Sequence, residues 1–384
     1  MAESSGSTMN AWTRLLEVMV RCFPESRKLP PWLKKKATMD HLLSHDIDKA
    51  SDSGIYDYAE PYKSASLDLE SQLIRALADS RAFKRLSDIR FLGALDYCLV
   101  SRPNGSQSNA RFTRAQHSIG VAALARAYLD LTTHSSSDRL ICVAAAMLHD
   151  IGHPPFSHTL EPVFHEKFGL NHHRASEEVI LGVGHSPEIS EILSSFGISA
   201  EAVVSVLNGN DEPFQGFFSG PINFDTIEGI LRSRNYLKMQ NLGITPIKVV
   251  QAATERHDDH NQEMVDAFWK CKDEMYTLVI RSKLGVLFDT LFQEAAKDII
   301  DLLQPSDFYL TESQMFRKFP IFRQAAQRQY WHRMGEALLP DEVPFQVRRF
   351  YVNVGGDFFK WQDRERYKQS KSASTLTLKD VLPA

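Results

Sequence analysis

From about residue 55 to residue 303, apolar side chains recur at the i, i+3, i+4, i+7 spacing of a helix face. LESQLIRALADSRAFKRLSDIRFLGAL, RAQHSIGVAALARAYLDL, DRLICVAAAMLHD, SPEISEILSSF and EAVVSVL all carry this pattern. Stripes of that kind are buried helix against helix, so the expected fold is all-α. Period-two alternation is clearest in FYVNVGG, which places minor β elements in the C-terminal part. No internal repeat and no coiled-coil heptad is present.

Three regions follow from the change in pattern. Residues 1–54 read as a peripheral segment and linker, 55–303 as the helical core, and 304–384 as a divergent C-terminal region with a polar tail. In the first region AWTRLLEVMVRC could form a short amphipathic helix, which Pro30 and Pro31 would end. The chain has a net charge of −4, which gives no global electrostatic case for nucleic acid or an anionic membrane as the main ligand. Its start lacks a basic n-region and an apolar h-region, and no run is long enough to span a bilayer. Cys22, Cys98, Cys142 and Cys271 are far apart and show no CxxC spacing, so reduced thiols and a cytoplasmic location are expected.

Histidine is the residue type whose placement is uneven. Seven of the 14 histidines lie between His149 and His185, and the densest stretch is MLHDIGHPPFSHTLE, residues 147–161. An apolar helix from about Asp138 runs into His149 and Asp150 and stops at Gly152 and Pro154. A single His–Asp pair has an ordinary account as a helix end followed by a turn residue. Three histidines in ten residues, with two prolines locking the turn between them, exceed what a helix end requires. Imidazole and carboxylate together suit Mn, Fe, Ni, Co or Zn, with Mg a further candidate alongside substrate. His117 shares a helix face with Gly120, Val121, Leu124 and Tyr128, which points it inward. Both a core histidine and a ligand fit that position. Asp225 opens the helix FDTIEGILRSRNYL, where the helix dipole alone would favour an aspartate.

HDIGHPPFSHTLE resembles the HDxGHxPFSH motif of the HD-domain phosphohydrolases, in the branch of the SAM-and-HD-domain and dGTPase deoxynucleoside triphosphate triphosphohydrolases. SRAFKRLSDIRFLGAL, TRAQHSIGV and FSGPINFDTIEGIL resemble three further motifs of that branch, in the same order, over about residues 55–300. The resemblance implies an HD-domain helical core with metal ligands at His117, His149, Asp150 and Asp225. It also implies an active-site histidine at His173 within HRAS, with His172 as its neighbour. His153 and His158 would stand on the phosphate side, with Glu161 as their acidic partner. Arg114 and Arg281 would contact substrate phosphates.

The motif around the last aspartate departs from the family pattern. Thr226, Gly229 and Ser233 stand where the branch has a cation, a tyrosine and an aspartate, and Asp289 and Thr290 replace a tyrosine and a glutamine. Ala115 and Gln116 also differ, and SRPNGSQSNARF lengthens the loop before His117. The expected function is therefore a metal-dependent phosphohydrolase acting on a nucleotide, by analogy dNTP to deoxynucleoside plus triphosphate. The alternatives are a phosphomonoesterase or phosphodiesterase on a modified nucleotide or other phosphorylated small molecule, and a non-catalytic nucleotide-binding regulator. The resemblance further implies a homo-oligomer.

Overall fold

The longest helical pattern of the sequence folds as three helices, α1 (Leu69–Asp79), α2 (Arg81–Arg85) and α3 (Ala94–Cys98). Ser80 causes the first break. Its backbone is extended, its hydroxyl accepts from Phe83 N at 3.1 Å to cap α2, and it donates to Leu77 O at 2.7 Å. The computed structural model describes residues 68–98, 112–210, 214, 217–218, 220, 222–237, 239, 243–254, 259–354 and 365–382. The expected N-terminal helix and linker, and nearly all of the inserted loop, lie outside the described residues.

Local signals set the central helices. Helix α4 (Arg114–Leu129) opens on a reciprocal capping box between Thr113 and Gln116, and α5 (Ser136–Leu148) is capped by Ser135 and ends against His149. Then follow α6 (Glu161–Phe168), α7 (His172–Leu181), α8 (Glu188–Ser195), α9 (Ala200–Leu207) and α10 (Phe224–Tyr236), the last capped by Asn223. Helix α11 (Pro246–Thr254) leads to α12 (Asp259–Met275), which runs on through a π turn at Tyr276–Ile280 into α13 (Lys283–Asp298). Helices α14 (Glu312–Lys318), α15 (Pro320–Ala325) and α16 (Trp331–Leu338) precede one antiparallel hairpin. Its strands β1 (Val343–Val352) and β2 (Tyr367–Leu376) pair from Val343↔Leu376 to Val352↔Tyr367. The described residues thus form an all-α fold with one minor sheet.

Two apolar cores lie side by side. The larger contains the inward faces of α1, α4, α5, α9, α10, α11 and α12. The smaller joins Phe156 and Phe164 to Phe288 and Phe292 of α13 and to Phe308, Met315 and Phe322 of the C-terminal third. The HDIGHPPFSH segment runs from one to the other, since Ile151 is buried in the first and Phe156 in the second. Among the described residues no single helix is long and apolar enough to cross a membrane. One bent pair, Glu188–Ser195 with Ala200–Leu207, passes on length and composition together.

Candidate metal centre

Three helices aim their ligand-type side chains at one point. His117 comes from the first turn of α4, His149 and Asp150 from the end of α5, and Asp225 from the first turn of α10. His117 Nε2 lies 3.0 Å from Asp225 Oδ1, 3.2 Å from His149 Nε2 and 3.6 Å from Asp150 Oδ2. His149 Nε2 lies 3.4 Å from Asp150 Oδ2 and 3.9 Å from Asp225 Oδ1. His117, His149 and Asp225 each bring one ligand atom within 4.8 Å of the others. Asp150 joins them through Oδ2, which it shares with Arg114.

The far sides of the two imidazoles are already committed. His117 Nδ1 meets Glu228 Oε2 at 2.5 Å, and His149 Nδ1 meets Ala146 O at 2.9 Å. With Nδ1–H donating in both, two Nε2 lone pairs face each other beside two carboxylates, an arrangement that calls for a cation. Donors held at about 2.1 Å around a tetrahedral ion stand roughly 3.4 Å apart, which matches the spacing here. The residues therefore fit a divalent metal. The site also attracts positive charge: burial opposes it on His117, yet Glu228 and Asp225 outweigh burial and push its pKa up to about 9, a proton that a bound cation would displace from Nε2. Burial also opposes charge on Asp225, but His117 and His149 hold its carboxyl below the usual range.

A second cluster lies on the other side of Asp150. His153 stacks on His172 with ring centroids 4.3 Å apart, and His158 meets both edge-on at 4.6 and 5.0 Å. Glu161 joins the rings, through Oε2 to His158 Nδ1 at 3.0 Å and Oε1 to His172 Nδ1 at 2.7 Å. His158 is the open ring, its side chain 62 % exposed. His153 is fully buried, and neither of its ring nitrogens has a hydrogen-bond partner; Nε2 lies 3.2 Å from Asp150 Oδ1 but out of bonding geometry. Burial, with the Arg114 charge adding to it, holds His153 well below the ordinary imidazole pKa. Glu161 is held far below the carboxylate range: burial works against this, and the bonds from His158 and His172 overcome it.

The motif loop that carries these histidines is over-determined. Phe156 and Ser157 take left-handed φ values of 61° and 52°, unusual for non-glycine residues. The Phe156 ring is buried against Tyr97, Phe292, Phe316 and Phe322, and its N–H donates to Glu312 Oε1 at 3.2 Å. Ser157 Oγ donates to Arg90 O at 2.7 Å and accepts from Arg114 Nε at 2.9 Å. Arg85 donates to the carbonyls of Ile151 and His153. Gly152 is needed where it stands, because a Cβ there would lie 2.2 Å from Ser176 N at the start of α7.

Several residues sit differently from their sequence-based roles. His173 is exposed on α7, and its neighbour His172 is the one that enters the histidine cluster. Counting HxxxS back from Ser176 gives His172, and Ser176 Oγ is indeed engaged, accepting from Gly152 N and donating to His149 O. Arg114 is buried, with Nη1 on Asp150 at 2.7 Å, Nε on Ser157 and Nη2 on Phe91 O, so its fork orders the Asp150 carboxylate. Arg281 belongs to neither cluster and lines a cavity of about 630 Å³ between α13 and the hairpin. Glu228 had no place in the sequence expectations, although its spacing of three from Asp225 puts it on the same helix face. At Gly229 a Cβ would lie 3.0 Å from Phe91 Cζ, so Phe91, whose centroid is 4.5 Å from that of His117, occupies the space of a larger side chain.

Comparison with known proteins places this geometry. A family model described as "HD domain" matches residues 114–211, which include both histidines of the centre, Asp150 and the whole histidine cluster. The chain is 34% identical over 130 residues to the uncharacterized protein YwfO of Bacillus subtilis, covering 33% of this chain and 27% of that one. It is 26% identical over 208 residues to the deoxynucleoside triphosphate triphosphohydrolase SAMHD1 of Gallus gallus, covering 50% of this chain and 30% of that one. A crystal structure of a phosphohydrolase from Bacteroides thetaiotaomicron aligns with a TM-score of 0.49 at 17% identity over 68% of each chain. The chain thus spans less than a third of the length of the two curated relatives named. The match falls on α4 and α5, which carry His117, His149 and Asp150 of the centre, and residues 114–211 of this chain are similar to the HD domain.

Proposed function

We propose that this protein is a metal-dependent phosphohydrolase acting on a nucleotide, converting a dNTP to its deoxynucleoside and triphosphate. The observation that carries the reading is the convergence of His117, His149, Asp150 and Asp225, with their far sides already bonded, next to a histidine cluster. A divalent ion held there supplies Lewis-acid polarisation of a phosphoryl oxygen and an acidified water. The protein's own groups do the rest. Arg114 and Glu228 fix the ligands. His153, His158 and His172 offer ring nitrogens to phosphate oxygens, and Glu161 holds two of the rings in place. A bound phosphate brings negative charge that favours protonated His158, which can then give its proton to the leaving oxygen. The name of the Gallus gallus relative supports the dNTP assignment by analogy.

A phosphomonoesterase or phosphodiesterase on a modified nucleotide is the second reading, favoured by the packing of Phe91 onto Gly229. The two are separated by incubating Mn²⁺-loaded full-length protein with a dNTP panel and resolving triphosphate from orthophosphate. Intact triphosphate is the expected product. Orthophosphate alone would favour the second reading, and no turnover of any nucleotide would reject both.

A further inference from the structure

Glu312 opens α14 in the C-terminal third, and its side chain is buried against two segments that frame the candidate metal centre. One carboxylate oxygen, Oε1, accepts from two backbone amides, Arg90 N at 2.8 Å and Phe156 N at 3.2 Å. The other oxygen is bonded to the Tyr97 hydroxyl and lies 3.9 Å from Arg90 Nε. Arg90 and Phe156 stand 222 and 156 positions before Glu312 in the chain. A single oxygen from a distant helix therefore ties these two segments to one point.

Each of the two amides adjoins an acceptor of Arg114. Phe91 O, one residue beyond Arg90, accepts from Arg114 Nη2 at 3.1 Å. Ser157 Oγ, one residue beyond Phe156, accepts from Arg114 Nε at 2.9 Å and donates to Arg90 O at 2.7 Å. The third contact of the guanidinium runs from Nη1 to Asp150 Oδ2 at 2.7 Å. That oxygen is the one that stands 3.4 Å from His149 Nε2 and 3.6 Å from His117 Nε2. A rigid planar fork meets three acceptors in one orientation, so moving either of the first two turns the third away from Asp150. The Arg90 segment is anchored on its other side to the start of α4, by Arg114 N to Ile89 O at 2.9 Å and Phe91 N to Phe112 O at 3.1 Å. The Phe156–Ser157 turn, by contrast, is held at φ values of 61° and 52°, which non-glycine residues keep only when their surroundings enforce them. Loss of the Glu312 acceptor leaves the buried Phe156 N–H unpaired and lets that turn relax, which carries Ser157 Oγ off Arg114.

We propose that Glu312 is a positioning residue for the metal centre, acting through the Arg90 and Phe156 amides and Arg114 to hold Asp150 in the orientation that a divalent ion requires. The inference rests on the metal-binding reading of that centre. It extends control of the centre to a helix outside residues 114–211, the segment similar to the HD domain. Glu312 itself touches none of the four candidate ligands; its influence is carried by the spacing it imposes on the two acceptors of Arg114.

The test is titration of metal-free full-length protein with Co²⁺, reading both affinity and the visible d–d spectrum, with thermal melts to check that each variant is folded. Glu312→Met removes the acceptor with little change of volume. Glu312→Gln keeps an oxygen for both amides, and its NH₂ group can donate to the Tyr97 hydroxyl. Glu312→Met is expected to weaken Co²⁺ binding by about 10–100-fold and to shift the d–d bands, as loss of groups that orient metal ligands does. Glu312→Gln should bind nearly as wild type does. A double-mutant cycle tests the route: in an Arg114→Met background, Glu312→Met should add little to the loss already present. Fully additive losses would overturn it. Folded Glu312→Met with wild-type affinity and spectrum would also overturn the proposal, as would Glu312→Gln behaving like Glu312→Met. Should Glu312→Met not fold, Glu312→Asp, which keeps the charge but ends one carbon short of the two amides, carries the same comparison. Wild-type protein that takes up no Co²⁺ would instead reject the metal-binding reading itself, so the two failures are distinguishable.

Discussion

Each imidazole of the centre has one nitrogen fixed and one presented. Glu228 and the Ala146 carbonyl take the Nδ1 atoms, and this orients both Nε2 atoms toward Asp150 and Asp225. Neither fixing partner was legible in the sequence. Glu228 lies 111 positions from His117, and a backbone carbonyl carries no residue signature at all. His117, His149, Asp150 and Asp225 were legible only through their motifs, since each also has an ordinary structural account. The histidine cluster shows the limit of motif matching at one-residue resolution. His172 and His173 are adjacent, and helix geometry turns them about 100° apart, so only one can face His153. If that is His172, then His172→Ala lowers kcat by about 10²–10⁴-fold, the usual range for losing a general acid–base group, and His173→Ala stays near wild type. Steady-state rates of the two variants on the substrate found above decide it. The reverse order would return the role to His173.

At the scale of elements, α4, α5 and α10 were readable because their apolar period and their caps at Thr113, Ser135 and Asn223 agree. The pattern over residues 69–95 misled in one respect. Its apolar period continues, while Ser80 stops the helix through a side-chain bond that period alone does not reveal. The motif loop depends on a contact still further from sequence reach. Glu312 of α14 is buried, accepts from Arg90 N and Phe156 N, and is bonded to the Tyr97 hydroxyl. Burial raises its pKa from 4.5 to about 7, against the lowering effect of those bonds. Between these values the folded protein keeps a proton that the unfolded chain has released. Stability therefore falls as pH rises from the unfolded value toward the folded one, by on the order of 3 kcal/mol at most. Glu312→Gln should remove this slope. Denaturant unfolding at pH 5 and pH 7.5 should show wild type losing stability relative to the variant across the window. An equal difference at both pH values would contradict the assignment.

For the whole molecule, the all-α class and the minor C-terminal strands were apparent from periodicity. The association of the last third with the centre was not. Phe308, Met315 and Phe322 share a core with Phe156, and β1 lies against α12, yet these contacts join segments far apart in the chain and without repeated pattern. The C-terminal third thus helps to hold the motif loop through Glu312. All of this depends on the four-donor centre holding a metal. The most direct test is the metal content of full-length protein by inductively coupled plasma mass spectrometry, for wild type and for folded His149→Ala and Asp225→Asn. The account predicts a bound divalent transition metal in wild type, with affinity reduced well over tenfold in both variants. Variants that keep the wild-type metal content would contradict it.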